Sequence, residues 1–182
     1  MAGADPVAPN FIAGSGPVPA TFNTAVQAPF TFLTSKVVFR AQRQAAQALS
    51  GAAFNLMQYD AVLEDPYGGW SATATGSQPA WSWLCPAGCS GWFEISLTAF
   101  TANPGTTSDL LATVIYLDGS AYLQASAGWG ADGHGAGSCG AVPVALYGGQ
   151  DYIQGYTYTQ AAVSTLTTTG QYPTIEVCWI SS

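Results

Sequence analysis

The clearest pattern in the chain is a period-two alternation. In CSGWFEISLTAF, Cys89, Gly91, Phe93, Ile95 and Leu97 share one side, and Ser90, Trp92, Glu94 and Ser96 share the other. That spacing belongs to a half-buried strand. Comparable runs recur along the body, separated by turn signals. FNLMQYDAV is followed by the turn EDPYGGW, and SWLCPAG leads into the alternating run. After the loop TANPGTTSD, LLATVIYL ends at Asp118-Gly119, a hairpin signal, and SAYLQASAGW returns. GADGHGAGSCG reads as a Gly-rich loop before the strand AVPVALY. Gly148-Gly149-Gln150-Asp151 then turns the chain into YIQGYTYTQ, and PTIEVCWIS is the last strand. The segment KVVFRAQRQAAQA is mixed, with VVF favouring a strand and AQRQAAQA a helix; the reading is a strand over 36–42 and a polar connection after it. The series predicts an all-β sandwich or barrel of roughly eight to ten strands, with no repeat of fixed period.

Residues 1–35 read differently. Pro6, Pro9, Pro17, Pro19 and Pro29 come with Gly3, Gly14 and Gly16, and apolar residues come singly or in pairs. Proline blocks helices and central strands, so this stretch is expected to be an extended arm. Phe11, Ile12, Phe22, Phe30, Phe32 and Leu33 are unusual in a flexible linker and are expected to anchor the arm in pockets, either of a partner or of its own domain. The body is then 36–182.

Composition narrows the function. Charged residues are 7% of the 182, against a usual share of about 25%, while 48% are hydrophobic and 13% aromatic. Disorder of the whole chain is excluded. No apolar run reaches the length of a membrane span, so no membrane insertion is expected, and the opening MAGADPVAPN lacks the basic and apolar regions of a secretory signal. The net charge is −7, and all three bases, Lys36, Arg40 and Arg43, lie in one short stretch. So few bases argue against nucleic-acid binding by phosphate neutralisation. A surface this poor in charge is weakly protected against association, which points either to a permanent assembly or to a Thr/Ser-solvated exterior.

The ordered motifs carry a resemblance. FRAQ (39–42), YDAVLEDPYGGW (59–70), WLCPAGCSGWFEIS (83–96), ATVIYLDG (112–119), VALYGGQDYI (144–153) and IEVCWIS (175–181) follow one another as in the globular head domains of the complement and tumour-necrosis-factor superfamily. The chain departs from that pattern at Cys89 and Gly91, where the superfamily often has aromatics, and at Gln150, inserted between Gly149 and Asp151. The resemblance implies a jelly-roll β-sandwich that assembles as a homotrimer. The D-P-Y-G-G-W, W-x-C-P-A-G and terminal C-W-I-S phrases look like those of virion proteins from phages of actinobacteria. That likeness implies a non-enzymatic structural protein of the virion, assembled in the host cytoplasm. Its arm would dock on other virion proteins, of the tail (minor tail, tail-tip or fibre) or of the capsid as decoration or head fibre, and a role in host adsorption is implied as well.

Candidate chemistry is sparse, and no cofactor or metal is expected. His134, the single histidine, sits in the Gly-rich stretch between Asp132 and Cys139, with no G-x-S-x-G element to make it the base of a hydrolase. One His and one Asp do not make a cation site. Asp60, Glu64 and Asp65 offer paired carboxylates for a glycosidase, but Glu64-Asp65-Pro66 reads better as a turn. Cys85, Cys89, Cys139 and Cys178 lack zinc spacing; Cys85–Cys89 and Cys139–Cys178 are both conceivable pairs, and spacing does not choose among the connectivities. Exposed aromatics suit stacking on the faces of sugars, a host surface glycan among them. The candidates are Trp70, Trp81, Trp83, Trp129, Tyr156 and Tyr158, with core or interface packing as the competing role.

Overall fold

The computed structural model describes residues 37–102, 110–127, 135–166 and 171–181. The arm 1–35, with Phe11, Ile12, Phe22, Phe30, Phe32 and Leu33, lies outside the described residues, as do Trp129 and His134.

Thirteen strands are described: β1 Val37–Gln42, β2 Ala48–Leu49, β3 Ala53–Leu56, β4 Ala61–Glu64, β5 Trp70–Ser71, β6 Ser82–Leu84, β7 Gly91–Thr101, β8 Leu111–Leu117, β9 Ser120–Ala127, β10 Gly135–Leu146, β11 Tyr152–Thr159, β12 Val163–Ser164 and β13 Thr174–Ser181. The count exceeds eight to ten because β2, β5 and β12 are two-residue pairings at turns, and because FNLMQYDAV divides into β3 and β4 around residues 57–60. The first sheet runs β10-β7-β13-β1-β4; the second runs β5-β6-β11-β8-β9, with β3 also on β11. All pairings are antiparallel, so each sheet can bury one face and wet the other.

The alternating run behaves as its pattern dictates. Phe93, Ile95 and Leu97 of β7 are buried, and Ile175 and Val177 of β13 join them in the core. From the second sheet come Trp83, Ile115 and Ile153. Phe39 of β1 lies stacked between Trp70 (centroids 5.2 Å apart) and Trp83 (6.0 Å), and Trp83 meets Phe93 edge-on. Four large rings from four strands thus tie the two sheets together.

The Gly-rich loop expectation needs correction over residues 135–140. GAGSCG is strand, the first half of β10, paired from Gly135↔Thr101 to Cys139↔Leu97. Gly137 and Cys139 face inward, and Gly137 answers to the opposing sheet. A Cβ on Gly137 would crowd Thr113 and Leu111, with nearest atoms at 3.3–3.4 Å. The hairpin at Asp118-Gly119 is as expected, with both residues at positive φ (51° and 77°), the geometry of the favoured two-residue turn.

Candidate functional site

The turns named by the motifs are built by carboxylates that collect backbone donors. In EDPYGGW, Asp65 Oδ1 accepts from Gly69 N (3.0 Å) and Oδ2 from Trp70 N (2.9 Å), while the Asp65 carbonyl accepts from Gly68 N. Gly68 takes φ +67°, and a Cβ on Gly69 would collide with the Leu84 carbonyl and the Trp83 indole nitrogen. Asp60 likewise accepts from Gln44 N (2.6 Å) and Ala45 N (2.9 Å) and pairs with Arg43 (3.2 Å). Glu64 stands across from Arg40 in the β1–β4 register. Asp60 and Asp65 are therefore committed to holding loops. We expect Asp65→Ala to cost about 1–3 kcal/mol, the penalty for stranding such donors; a midpoint unchanged in urea unfolding would contradict this.

The CPAGC and GGQD turns interlock. Cys85 N donates to Asp151 O (2.9 Å), Gly149 N to Cys85 O (2.6 Å) and Gly148 N to Ser90 Oγ (2.9 Å). A Cβ on Gly148 would run into the CPAGC backbone. Two motifs about 60 residues apart in sequence thus form one corner of the sandwich.

The cysteines are free thiols, and their positions decide one pairing. Cys139 is buried between the sheets and donates to the Thr113 carbonyl (3.0 Å). Cys178 lies on the opposite face of the first sheet and donates to Glu176 Oε1 (3.3 Å), beside the Arg40–Glu176 ion pair. The Cys139–Cys178 pair is accordingly ruled out by geometry, because the sheet itself stands between the two side chains. Cys85 and Cys89 share one turn, with Cys85 Sγ reaching Cys89 O at 3.4 Å.

Burial pushes the Cys85 thiol from its ordinary 9.0 up to about 12, with help from the neighbouring Cys89 and Asp151. Burial also raises Cys178 to about 12, together with its hydrogen bond to Glu176 and the charges of Glu176, Glu94 and Glu64. A folded pKa above the unfolded one means stability that is intact below pH 9 and is lost as pH climbs toward 12. Ultraviolet titration is expected to show these thiolates forming near pH 9 in the unfolded chain and only well above it in the native one; coincident curves would contradict the assignment.

Two surfaces stand out. At one end of the first sheet, exposed apolar side chains on or beside three neighbouring strands make an apolar corner: Trp92 (49% exposed) on β7, Ile180 (42%) on β13 and Tyr147 (58%) just past β10; Trp92 pairs with Ala145 on one side and Ser181 on the other. Tyr122 of β9, itself exposed, donates to the Pro143 carbonyl of β10 (3.2 Å) and links the edge strands of the two sheets.

The second surface is a row of rings on the outward face of the second sheet. Thr113, Ile115, Ile153 and Thr157 turn inward, so alternation turns Val114, Tyr116, Tyr156 and Tyr158 outward. Phe54 and Leu56 of β3 stand opposite Tyr158 and Tyr156. The ring centroids of Tyr116 and Tyr156 are 4.1 Å apart, those of Phe54 and Tyr158 5.2 Å, and those of Phe54 and Tyr116 6.5 Å. Tyr158 Oη donates to Gln160 Oε1 (3.3 Å). Burial raises the Tyr156 pKa, reinforced by the nearby Tyr116 and Tyr152 hydroxyls.

The structure thus brings Tyr156 and Tyr158 together and adds Phe54 and Tyr116, which sequence reading does not single out. Trp70 sits elsewhere, with its ring on Phe39, Tyr59 and Trp81; Trp83 is wholly buried. Among the described residues no group of three His, Cys, Asp or Glu side chains is placed to hold a metal ion.

Solved structures resolve the architecture. Murine APRIL superposes with a TM-score of 0.52, covering 78% of this chain and 98% of that one at 10% identity. The fold is a TNF-like jelly roll. Eiger TNF from S. frugiperda (TM-score 0.48, 12% identity, 81% of this chain and 94% of that one) is among the other similar structures. A second structure of murine APRIL, at pH 5.0, gives a TM-score of 0.49 at 10% identity, covering 73% and 97%. No protein-family model and no curated protein matches the sequence. At such identities the likeness concerns the path of the backbone in this jelly roll, not its partners.

Proposed function

We propose that this jelly roll is the knob of a homotrimeric, non-enzymatic phage virion protein, anchored to the tail by residues 1–35. The observation that carries the trimer is the apolar corner of Trp92, Ile180 and Tyr147 on a body nearly free of bases. Arg40 and Arg43 are the bases among the described residues, and both are engaged with Glu176 and Asp60. Such a surface is poor in the charge that keeps monomers apart, and permanent interfaces are apolar and charge-depleted. The virion setting rests on the motif phrases D-P-Y-G-G-W, W-x-C-P-A-G and C-W-I-S, and on the Pro-rich arm with its spaced Phe and Ile residues. A place on the capsid, as a decoration or head fibre, is the second reading, since the same arm would serve either shell.

The test is attachment. A chain lacking residues 1–35 is expected to stay trimeric by light scattering yet fail to co-sediment with particles that the full chain joins. Attachment by the truncated chain would refute the anchoring role. Labelling of the full chain in electron micrographs of the particle separates tail from capsid.

A further inference from the structure

We propose that the aromatic row on the second sheet, Phe54, Tyr116, Tyr156 and Tyr158, is a stacking platform for a neutral glycan. The inference rests on the reading above in one respect: packing of the first sheet against neighbouring copies leaves the second sheet facing outward.

Three observations carry it. The first is geometry. Three adjacent strands, β3, β11 and β8, contribute rings to one face, so the row extends about 10 Å across the strands. Val114 and Ala112 lie opposite Tyr156 and Tyr158 in the register and are fully buried. The row therefore has small, covered residues as its floor, while Phe54 keeps 47% of its surface exposed.

The second is charge. The outward positions of β3, β8 and β11 are Phe54, Leu56, Ala112, Val114, Tyr116, Tyr152, Gln154, Tyr156 and Tyr158, none of them ionised at neutral pH. No cation stands there to meet a phosphate, sulfate or uronate, and the net charge of −7 repels anions. Nucleic acid and anionic polymers are thereby disfavoured, and so is a cationic partner, which finds no carboxylate on the row.

The third is the rim. Tyr116 and Tyr156 stand ring to ring with centroids 4.1 Å apart, Tyr152 is another outward position along β11, and Tyr158 donates to Gln160. The exposed Phe54 ring, flanked by the half-buried tyrosines and edged by uncharged hydroxyl and amide groups, offers a surface for the C–H side of a pyranose without charge.

The experiment uses the full chain on an array of neutral oligosaccharides (glucans, galactans, mannans, arabinans) alongside sulfated and uronate-bearing counterparts, followed by calorimetric titration of the best binder. Binding to a neutral oligosaccharide is expected, weakened about tenfold or more by Phe54→Ala and by Tyr156→Ala, and unchanged by Val62→Ala on β4. Hydroxyl-radical footprinting of the unaltered protein is expected to show Phe54 and Tyr156 protected by that oligosaccharide, which keeps the test valid if a variant folds poorly. Preference for anionic glycans, protection confined to other residues, or affinity indifferent to both variants would overturn the platform. A flat array from a protein that scatters as a trimer would overturn it too, while leaving the trimer standing; dissociation to monomers with glycan binding intact would do the reverse.

Discussion

Trp83→Ala is expected to lower folding stability by about 3–5 kcal/mol, the usual cost of emptying a large aromatic site in a core. Trp83 is one of the largest fully buried side chains. It lies against Phe39 at 6.0 Å and Phe93 at 6.1 Å, one ring from each of two strands of the opposite sheet. Phe39 in turn leans on Trp70, which the Asp65 turn positions through its backbone N–H. Removing the indole therefore leaves a cavity where both sheets and a loop converge, and such a site has little freedom to collapse. In a chain of this size the loss corresponds to a fall of roughly 10 °C or more in melting temperature. Calorimetric unfolding checks it, and a melting temperature within two or three degrees of the parent would show that Trp83 is not central to the core.

The second large effect concerns assembly. Trp92→Glu, alone or with Ile180→Glu, is expected to convert trimer to monomer. Trp92 sits on β7 between Ala145 of β10 and Ser181 of β13. On its wet face the sheet already carries Glu94 and Glu176, with Arg40 paired to Glu176. Adding a carboxylate at Trp92 sets it two residues from Glu94 on the same face, and an unpaired charge at an interface costs several kcal/mol. Because Trp92 is half exposed in the single chain, the folded monomer itself loses little. The expected result is a cooperative melting transition with one third of the parent's mass in light scattering. A trimer that survives both substitutions would place the interface elsewhere.

Much of this architecture can be read in the amino-acid order, for identifiable reasons. The run from Phe93 to Leu97 is half-buried, so its alternation is visible; Asp118-Gly119 needs positive φ at both positions, and the residue types say so. Asp65-Pro66 announces a turn, and the carboxylate that caps it is local to that turn. Residues 135–140 are another matter. Gly, Ala, Ser and Cys there resemble a loop, yet the segment is strand, and Gly137 is small because Leu111 and Thr113 press on it from the facing sheet, a contact between residues far apart in sequence. The aromatic row hides for the same reason. Tyr156 and Tyr158 stand two apart and show themselves, but Phe54 and Tyr116 join them only through the β3–β11 and β11–β8 registers. Trp70 resembles its neighbours Trp81 and Trp83 in composition alone; the direction of its ring is set by the Asp65 turn and by Phe39.

The measurement that bears most directly on the proposed assembly is the mass of the full chain in dilute solution by multi-angle light scattering. The jelly roll with its apolar corner is expected to scatter as a single species of three times the 18.7 kDa chain mass, stable on dilution as permanent interfaces are. A single species at 18.7 kDa would contradict the trimer and remove the reason for its exposed Trp92, Ile180 and Tyr147.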